Sequence, residues 1–564
     1  MDSWSNRAWA AAVAGACLLA AVAATWPLVL HVTRAVPLGT ETAATIPLFD
    51  IWTLWWSANG PAHAYAGFWD APIFHPTGGA FALSEPMVLP GLLAAPFFAL
   101  HAPPALCHNL VLLALLATNG VFGCRLARAF GASRAAALAA AVLVVTLPFF
   151  AKMQGELPIL AVAGALAALD GVARFGAAGR SVHALQVAAG LTAQALCCEQ
   201  LTGPAAIFVL GAALLALHQR GFQRAAIARL CAALALAAVL IAALARAPLA
   251  IHRHLGLQRS AKVVQSLSAG AADLFTRPGN AWLSFPAREA PDRFTGGLFP
   301  GVGLLLLAAA GVLDRRATGR RWRWYAVGAV IVADALALGL NLSLGGWRPF
   351  SWLRALPGVS QLRSPFRIAV FAQAHLACLA ALGLDALARR LGRRALVLSL
   401  GLLAATENLS LPAPLLDVPP TARTPWTAFV AAQPAGTVVA HVPFPSGGDV
   451  EDLAPEAWRM FAQIDHGRPL VNGYASYFPP LHRELMFAMA RAFPAPILAC
   501  ALHRAFGAGL LVVEQPWLAA HRAAFEDVRP LLTPAYAGDQ VAIFRFTPTP
   551  QSCPPMRAEV GGGG

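Results

Sequence analysis

Charge is what this chain lacks most: Asp, Glu, Lys and Arg make up 12% of its 564 residues, while 58% are hydrophobic and the mean hydropathy is +0.61. A soluble domain carries about 25% charge, so a soluble protein of this length is excluded and a polytopic membrane protein is indicated. Long apolar runs dominate and alternating ten-residue segments do not, which points to α-helical spans rather than a barrel. No CxxC pair with zinc-ligand spacing occurs among the nine cysteines. Seven of them (Cys17, Cys107, Cys124, Cys197, Cys198, Cys231 and Cys378) lie in or beside apolar runs and read as buried free thiols. GxSxG, Walker and strand-following GxGxxG motifs are missing. No internal repeat is visible, which weighs against a transporter. The net charge of +14 is spread over short arginine-rich turns and forms no single basic face. It therefore fits membrane topology and anionic headgroups, with membrane lipid and not nucleic acid as the partner.

About eleven apolar runs read as spans: 8–30, 105–126, 133–150, 157–173, 182–198, 203–218, 226–247, 296–313, 325–341, 366–388 and 395–410. The first is too long for a signal-peptide core and reads as a retained anchor. The run 86–100 is short and holds Pro86, Pro90 and Pro96, so it is expected as a re-entrant or interfacial helix. With that assignment the turns bearing Arg125/Arg128/Arg134, Arg174/Arg180, Arg220/Arg224/Arg229, Arg315/Arg316/Arg320/Arg321/Arg323 and Arg389/Arg390/Arg393/Arg394 all face the cytoplasm. The N-terminus is then inside, and the loop 31–104 and the C-terminus are outside. Residues 1–410 form the transmembrane domain, 411–425 a proline-rich linker, and 426–550 a small α/β domain on the outer face. The tail 551–564 reads as disordered. Within the outer domain GTVVAHVPF, GLLVVEQ and QVAIFRF read as strands, and 453–464, 480–492 and 517–527 as amphipathic helices.

The stretch 37–86 has no lysine or arginine, yet it holds Trp52, Trp55, Trp56 and Trp69 with Glu41, Asp50, Asp70 and Glu85. In a helical PLFDIWTLWW, Trp52, Trp55 and Trp56 share one stripe, expected to turn toward lipid. Asp50 lies roughly opposite, pointing to water or into the protein. A carboxylate at a bilayer edge suits general-base work on a hydroxyl; a helix cap or a salt bridge to Arg34 is its bland alternative. In this topology Glu41, Asp70, Glu85, Glu156 and Glu199 all occupy outer turns and can converge with Asp50 around Mg²⁺ or Mn²⁺. Taken singly, each is more commonly a cap or a solvated residue. His75 reads first as packed against Pro76. Arg363 and Arg367, four apart in LRSPFRIAVF, suit a lipid phosphate if a helix begins just before them, with Arg348 and Arg354 to assist. Trp55 and Trp56 are candidate substrate contacts. Asp465, His466 and Arg468 suggest a second site, but the neighbouring NGY reads as turn chemistry.

On PLFDIWTLWW, WDAPIFHPTGG, EPMVLPGLLAAPFF, the acidic QGE turn, RSPFR and VNGYASYFPP, the chain resembles the GT-C superfamily of membrane glycosyltransferases, in its YfhO-like branch. The resemblance implies an enzyme of the cell envelope in the cytoplasmic membrane. Such an enzyme passes a sugar, for instance a hexose, from a polyprenyl-phosphate donor to a glycan, lipid or protein acceptor on the outer face. It implies inversion with Asp50 as general base, Glu156 as the second-loop acid with a part in metal binding, and Arg363 and Arg367 as holders of the donor phosphate. No DxD or adjacent acidic pair occurs in the first loop, which departs from the family pattern. Two other classes compete: a transporter or flippase of a lipid-linked glycan, and a non-catalytic membrane protein of envelope assembly.

Overall fold

The computed structural model describes residues 5–290, 294–314, 320–355, 362–392, 394–548 and 553. Arg315, Arg316 and Arg393 of the expected cytoplasmic turns, the last two residues of the expected outer domain (549–550), and the expected tail except Cys553 lie outside them. The chain divides into two compact units. The first comprises Met1–Thr42, Glu85–Leu249 and Leu257–Pro419; the second comprises Ala43–Ser84, Ala250–Gly256 and Pro420–Gly564.

The first unit is helical. Among the described residues, seven helices are long and apolar enough to cross a membrane: Asn6–Ala24, Pro104–Ala129, Arg134–Lys152, Leu157–Ala178, Glu199–Gln219, Arg224–His254 and Pro365–Leu391. The other four expected spans fall on helices Ser181–Cys197, Val302–Leu313, Arg320–Ala337 and Arg394–Glu407, which are shorter or more charged. Val88–Ala99, the proline-broken run, is a 12-residue helix. At 1.5 Å per residue it is about 18 Å long, short of the roughly 30 Å hydrocarbon layer.

Small residues let these helices close on one another, as apolar side chains alone do not drive helices together in lipid. A Cβ on Gly383 would lie 1.8 Å from the Leu307 carbonyl oxygen, and one on Gly311 2.2 Å from that of Leu379. The helices Val302–Leu313 and Ala369–Leu391 thus meet backbone to backbone. The buried Asp170 is paired, as a low-dielectric interior demands of a charge: it accepts from Arg125 of a neighbouring helix at 3.0 Å and from Arg174 of its own at 2.6 Å. Strand β1 (Ala35–Pro37) pairs antiparallel with β2 (Leu415–Asp417). The proline-rich stretch expected as a linker therefore carries a strand of the first unit. Proline and short length hid it.

The second unit has a four-stranded sheet of β3 (Val438–Val442), β4 (Ala508–Glu514), β5 (Leu532–Ala537) and β6 (Val541–Phe546), in spatial order β3-β4-β6-β5. Only the β3–β4 pair is parallel. Strands β3, β4 and β6 are the three legible in the sequence. β5 holds Pro534 and lies at the sheet edge, where a missing N–H is tolerated. Helices Ala454–His466 and Pro480–Ala492 match the amphipathic runs, while the third run divides into Gln515–Ala520 and Arg522–Phe525. Cys500 and Cys553 form a disulfide, and the seven apolar-run cysteines are free.

Residues 43–84 belong to this second unit. Their helix Thr45–Asn59 packs on Ala454–His466: Thr45 Oγ1 donates to the Val450 carbonyl at 2.5 Å, and the Trp52 indole donates to Gln463 Oε1 at 2.8 Å. Gln463 Nε2 in turn donates to the carbonyls of Pro72 and Arg468. The tryptophan stripe does not face lipid as a set: Trp52 is fully buried, and Trp55 and Trp56 are half-buried. Helical spacing defines a common face but says nothing of what covers it.

Candidate active site

In the first unit the chain between the Pro148–Lys152 helix and Leu157 makes a tight turn holding Glu156. Two glycines bring the 38–41 segment against it. A Cβ on Gly39, whose φ is +64°, would lie 2.3 Å from the Lys152 carbonyl oxygen, and one on Gly155 2.4 Å from that of Leu38. Only glycine permits these approaches. Glu41 is thereby set beside Gly155, half-buried, with Oε1 accepting from the Thr42 N–H at 3.2 Å.

Arg367 comes from far along the chain. Pro365 opens the short turn Pro365–Ile368 that leads into Ala369–Leu391, and Arg367 is turned inward there, 8% exposed. One terminal nitrogen donates to Glu156 Oε1 at 2.7 Å and also reaches Oε2; the other donates to Gln200 Oε1 at 2.8 Å. Gln200 sits in the first turn of Glu199–Gln219. The backbone N–H groups of Glu199 and Gln200 donate to the two Glu85 oxygens at 3.0 and 2.9 Å. Those groups have no partner within their own helix, and a carboxylate there also meets the positive end of its dipole. Burial nevertheless pushes the Glu85 carboxyl above the usual range, against the pull of these N–H groups and of Arg367. Beside this chain Lys152 Nζ holds Glu289 Oε2 at 2.5 Å and lies 4.5 Å from the centre of the Phe294 ring.

The structure thus gathers Glu85, Glu156, Glu199 and Arg367 in one unit, with Glu41 close by. Asp50 and Asp70 fall in the other unit. Arg363 does not join Arg367 on a helix face: it is half-buried in the extended segment before Pro365, where the helical turn starts. A four-residue spacing places two side chains together only when the helix includes both. Nothing in the sequence pattern marks Lys152, Gln200 or Glu289 as neighbours of these residues; the fold brings them here from separate segments.

Among the described residues no group of three or more His, Cys, Asp or Glu side chains is placed to hold a metal ion. Both Glu156 oxygens are engaged by Arg367 and both Glu85 oxygens by backbone N–H groups. This donor set does not fit Mg²⁺ or Mn²⁺, which ask for several oxygen ligands at a regular site.

In the second unit Asp50 is 3% exposed on the Thr45–Asn59 helix. Its neighbours fix that helix: Phe49 packs its ring 5.2 Å edge-on to Tyr474, and Trp56 donates to the Phe68 carbonyl at 2.8 Å. Asp70 closes its own loop by accepting from the Gly79 N–H at 2.8 Å. His75 is half-buried, and burial lowers its pKa. Asp465 accepts from Thr427 Oγ1, His466 Nδ1 from the Arg468 N–H, and Arg468 donates to the Ala431 and Gln433 carbonyls. These three residues serve the fold. Asn472 of the NGY turn bridges to the His441 backbone at 2.7 and 3.2 Å, and its amide also donates to Glu456. The Arg459–Glu456 pair at 2.5 Å completes a buried network that the sequence reading overlooked.

This is a membrane protein with the GT-C fold. It is similar to the arabinofuranosyltransferase AftD from Mycobacteria: TM-score 0.59, 16% identity, 97% of this chain and 40% of that one covered. A mutant form of AftD, R1389S, aligns with TM-score 0.55 at 17% identity, over 97% of this chain and 42% of that one. The chain therefore spans less than half the length of these relatives. An oligosaccharyltransferase from Archaeoglobus fulgidus aligns over 97% of this chain and 75% of that one, with TM-score 0.47 and 13% identity. No family profile matches the sequence, and no curated protein matches it.

Proposed function

We propose that the chain is a glycosyltransferase that moves a sugar from a polyprenyl-phosphate donor to a glycan, lipid or protein acceptor at the outer face of the cytoplasmic membrane. The observation that carries this reading is Arg367. It is a buried guanidinium at the head of a long apolar helix, held among carboxylates from distant segments of a GT-C fold. Charge at such a place is costly and marks function by default. The YfhO-like assignment rests on the sequence motifs.

In this reading the acceptor hydroxyl gives its proton to the Asp50 carboxylate as its oxygen bonds to the anomeric carbon. The bond from that carbon to the phosphate oxygen breaks on the opposite face, so the configuration inverts. The electron pair leaves with the phosphate. Asp50, in the α/β unit, takes its part from the sequence motifs; the donor-phosphate part of Arg367, in the helical unit, is a separate assignment with its own test. The disulfide Cys500–Cys553 supports an outer location for the second unit, because disulfides persist in oxidising compartments.

The test is complementation of a deletion strain, reading membrane glycolipids and envelope glycans. Asp50→Asn is expected to cut transfer by about 10²–10⁴ with protein level unchanged. Full restoration of the missing glycan by Asp50→Asn removes Asp50 as the base, and full restoration by Arg367→Gln removes the donor-phosphate site.

A further inference from the structure

Arg367 is held on its two sides by chemically different partners. One terminal nitrogen meets the neutral amide oxygen of Gln200; the other meets both oxygens of the Glu156 carboxylate. The Nε–H, also buried, has no hydrogen-bond partner among the described residues. Carboxylate and phosphate oxygens compete for the same guanidinium fork.

We propose that Glu156 is a displaceable counter-ion, occupying on Arg367 the place that a donor phosphate takes, so that the headgroup binds by exchange of carboxylate for phosphate. This rests on the lipid-phosphate reading above and adds how that site is kept when no donor is bound. A buried guanidinium without a partner is strongly destabilising, so a counter-ion has to stand in until an anion arrives. Only one side is built to exchange. The Gln200 side is fixed, because Gln200 belongs to a helix start that Glu85 grips by two backbone N–H groups. Glu85 is thereby occupied and does not compete for the fork. The nearby Lys152–Glu289 pair is more deeply enclosed, its side chains 0% and 6% exposed against 10% and 13% for Arg367 and Glu156.

The experiment measures binding of farnesyl phosphate to the full chain in lipid nanodiscs, with inorganic phosphate and farnesol as separate arms. Wild type, Glu156→Gln, Glu156→Asp and Arg367→Gln are compared. Glu156→Gln, isosteric and neutral, is expected to bind farnesyl phosphate about tenfold tighter than wild type. It should also show a larger rise in unfolding temperature on adding the probe, because the probe supplies the missing counter-ion. Glu156→Asp, charged but one methylene shorter, falls between them and serves if the Gln variant folds poorly. Binding of inorganic phosphate with the same ranking assigns the site to the phosphate alone; a response to farnesyl phosphate only assigns it to a lipid headgroup. Either ranking supports exchange. Weaker or equal binding by Glu156→Gln and Glu156→Asp, with binding still lost in Arg367→Gln, overturns exchange and leaves the donor site standing. Binding that survives Arg367→Gln, or is matched by farnesol, overturns both.

Discussion

In the helical unit two enclosed ion pairs join residues far apart in sequence, Glu156 and Arg367 separated by 211 residues and Lys152 and Glu289 by 137, while the buried Asp170 also has a local partner, Arg174, one turn along its own helix. In the α/β unit the central pair, Glu456 and Arg459, is three residues apart on one helix, and Asn472 and Glu514 complete it. In either unit an enclosed charge needs a partner: in the helical unit the fold brings these two from distant segments, and in the α/β unit the nearest one stands on the same helix. The boundary cuts the acidic loop itself. Ser84 belongs to one unit and Glu85, its neighbour, to the other.

The largest expected effect tests whether each kind of pair supports only its own unit. Lys152→Met leaves Glu289 without its ammonium in the helical unit, and Arg459→Met strands Glu456 in the α/β unit. Each is expected to cost about 3–5 kcal/mol. Proteolysis during a thermal ramp should release fragments of the affected unit first. A single loss of both units together in either variant breaks the comparison.

Next in size is the disulfide. Cys500→Ser should destabilise the α/β unit by about 2–4 kcal/mol and leave the helical unit unchanged. Under denaturing, non-reducing conditions, maleimide labelling of wild type should count the seven free cysteines, with two more after reduction. Nine labelled thiols before reduction would remove the staple.

Acid should separate the units further. Burial lowers His466 and His482 to about 3 and also lowers His441, with Arg459 and His466 adding repulsion. For a histidine whose folded pKa is depressed, the unfolded chain binds more protons between the two values. Stability is therefore full above about 6.5 and falls as pH drops toward 3. At pH 5 each of His466 and His482 is expected to have cost the α/β unit about 2 kcal/mol. Glu456, whose carboxyl burial pushes up, acts in the opposite sense, adding stability as pH falls toward the usual carboxylate range. A flat unfolding profile from pH 7 to pH 5 would contradict this.

The smallest effect sharpens the reading of the tryptophans. Trp52→Phe removes the indole N–H from Gln463 and is expected to cost about 1–3 kcal/mol, whereas Trp55→Phe, at a half-buried position, should change stability by less than about 0.5 kcal/mol. Equal effects, read by chemical unfolding followed through fluorescence, would return the stripe to a single environment.

Composition and hydropathy alone determined that this is a polytopic helical protein with a small α/β region, and hydrophobic periodicity located a helix at each expected span and three strands of the sheet. These signals are local, set by how each side chain meets lipid, water or its own helix. Proline-bearing strands such as Pro534 in β5 escaped because their place at an edge is a property of the sheet. The acids Glu156 and Asp50 were noticed because a carboxylate near an apolar run is costly wherever it ends up. Which of them meets Arg367, that Arg363 does not, that Trp52 is buried on Gln463, and that the acidic loop is shared between two units were decided only by tertiary structure. Pairing across hundreds of residues depends on which helices pack together, and close glycine contacts such as Gly155 on Leu38 leave no periodic trace in the chain.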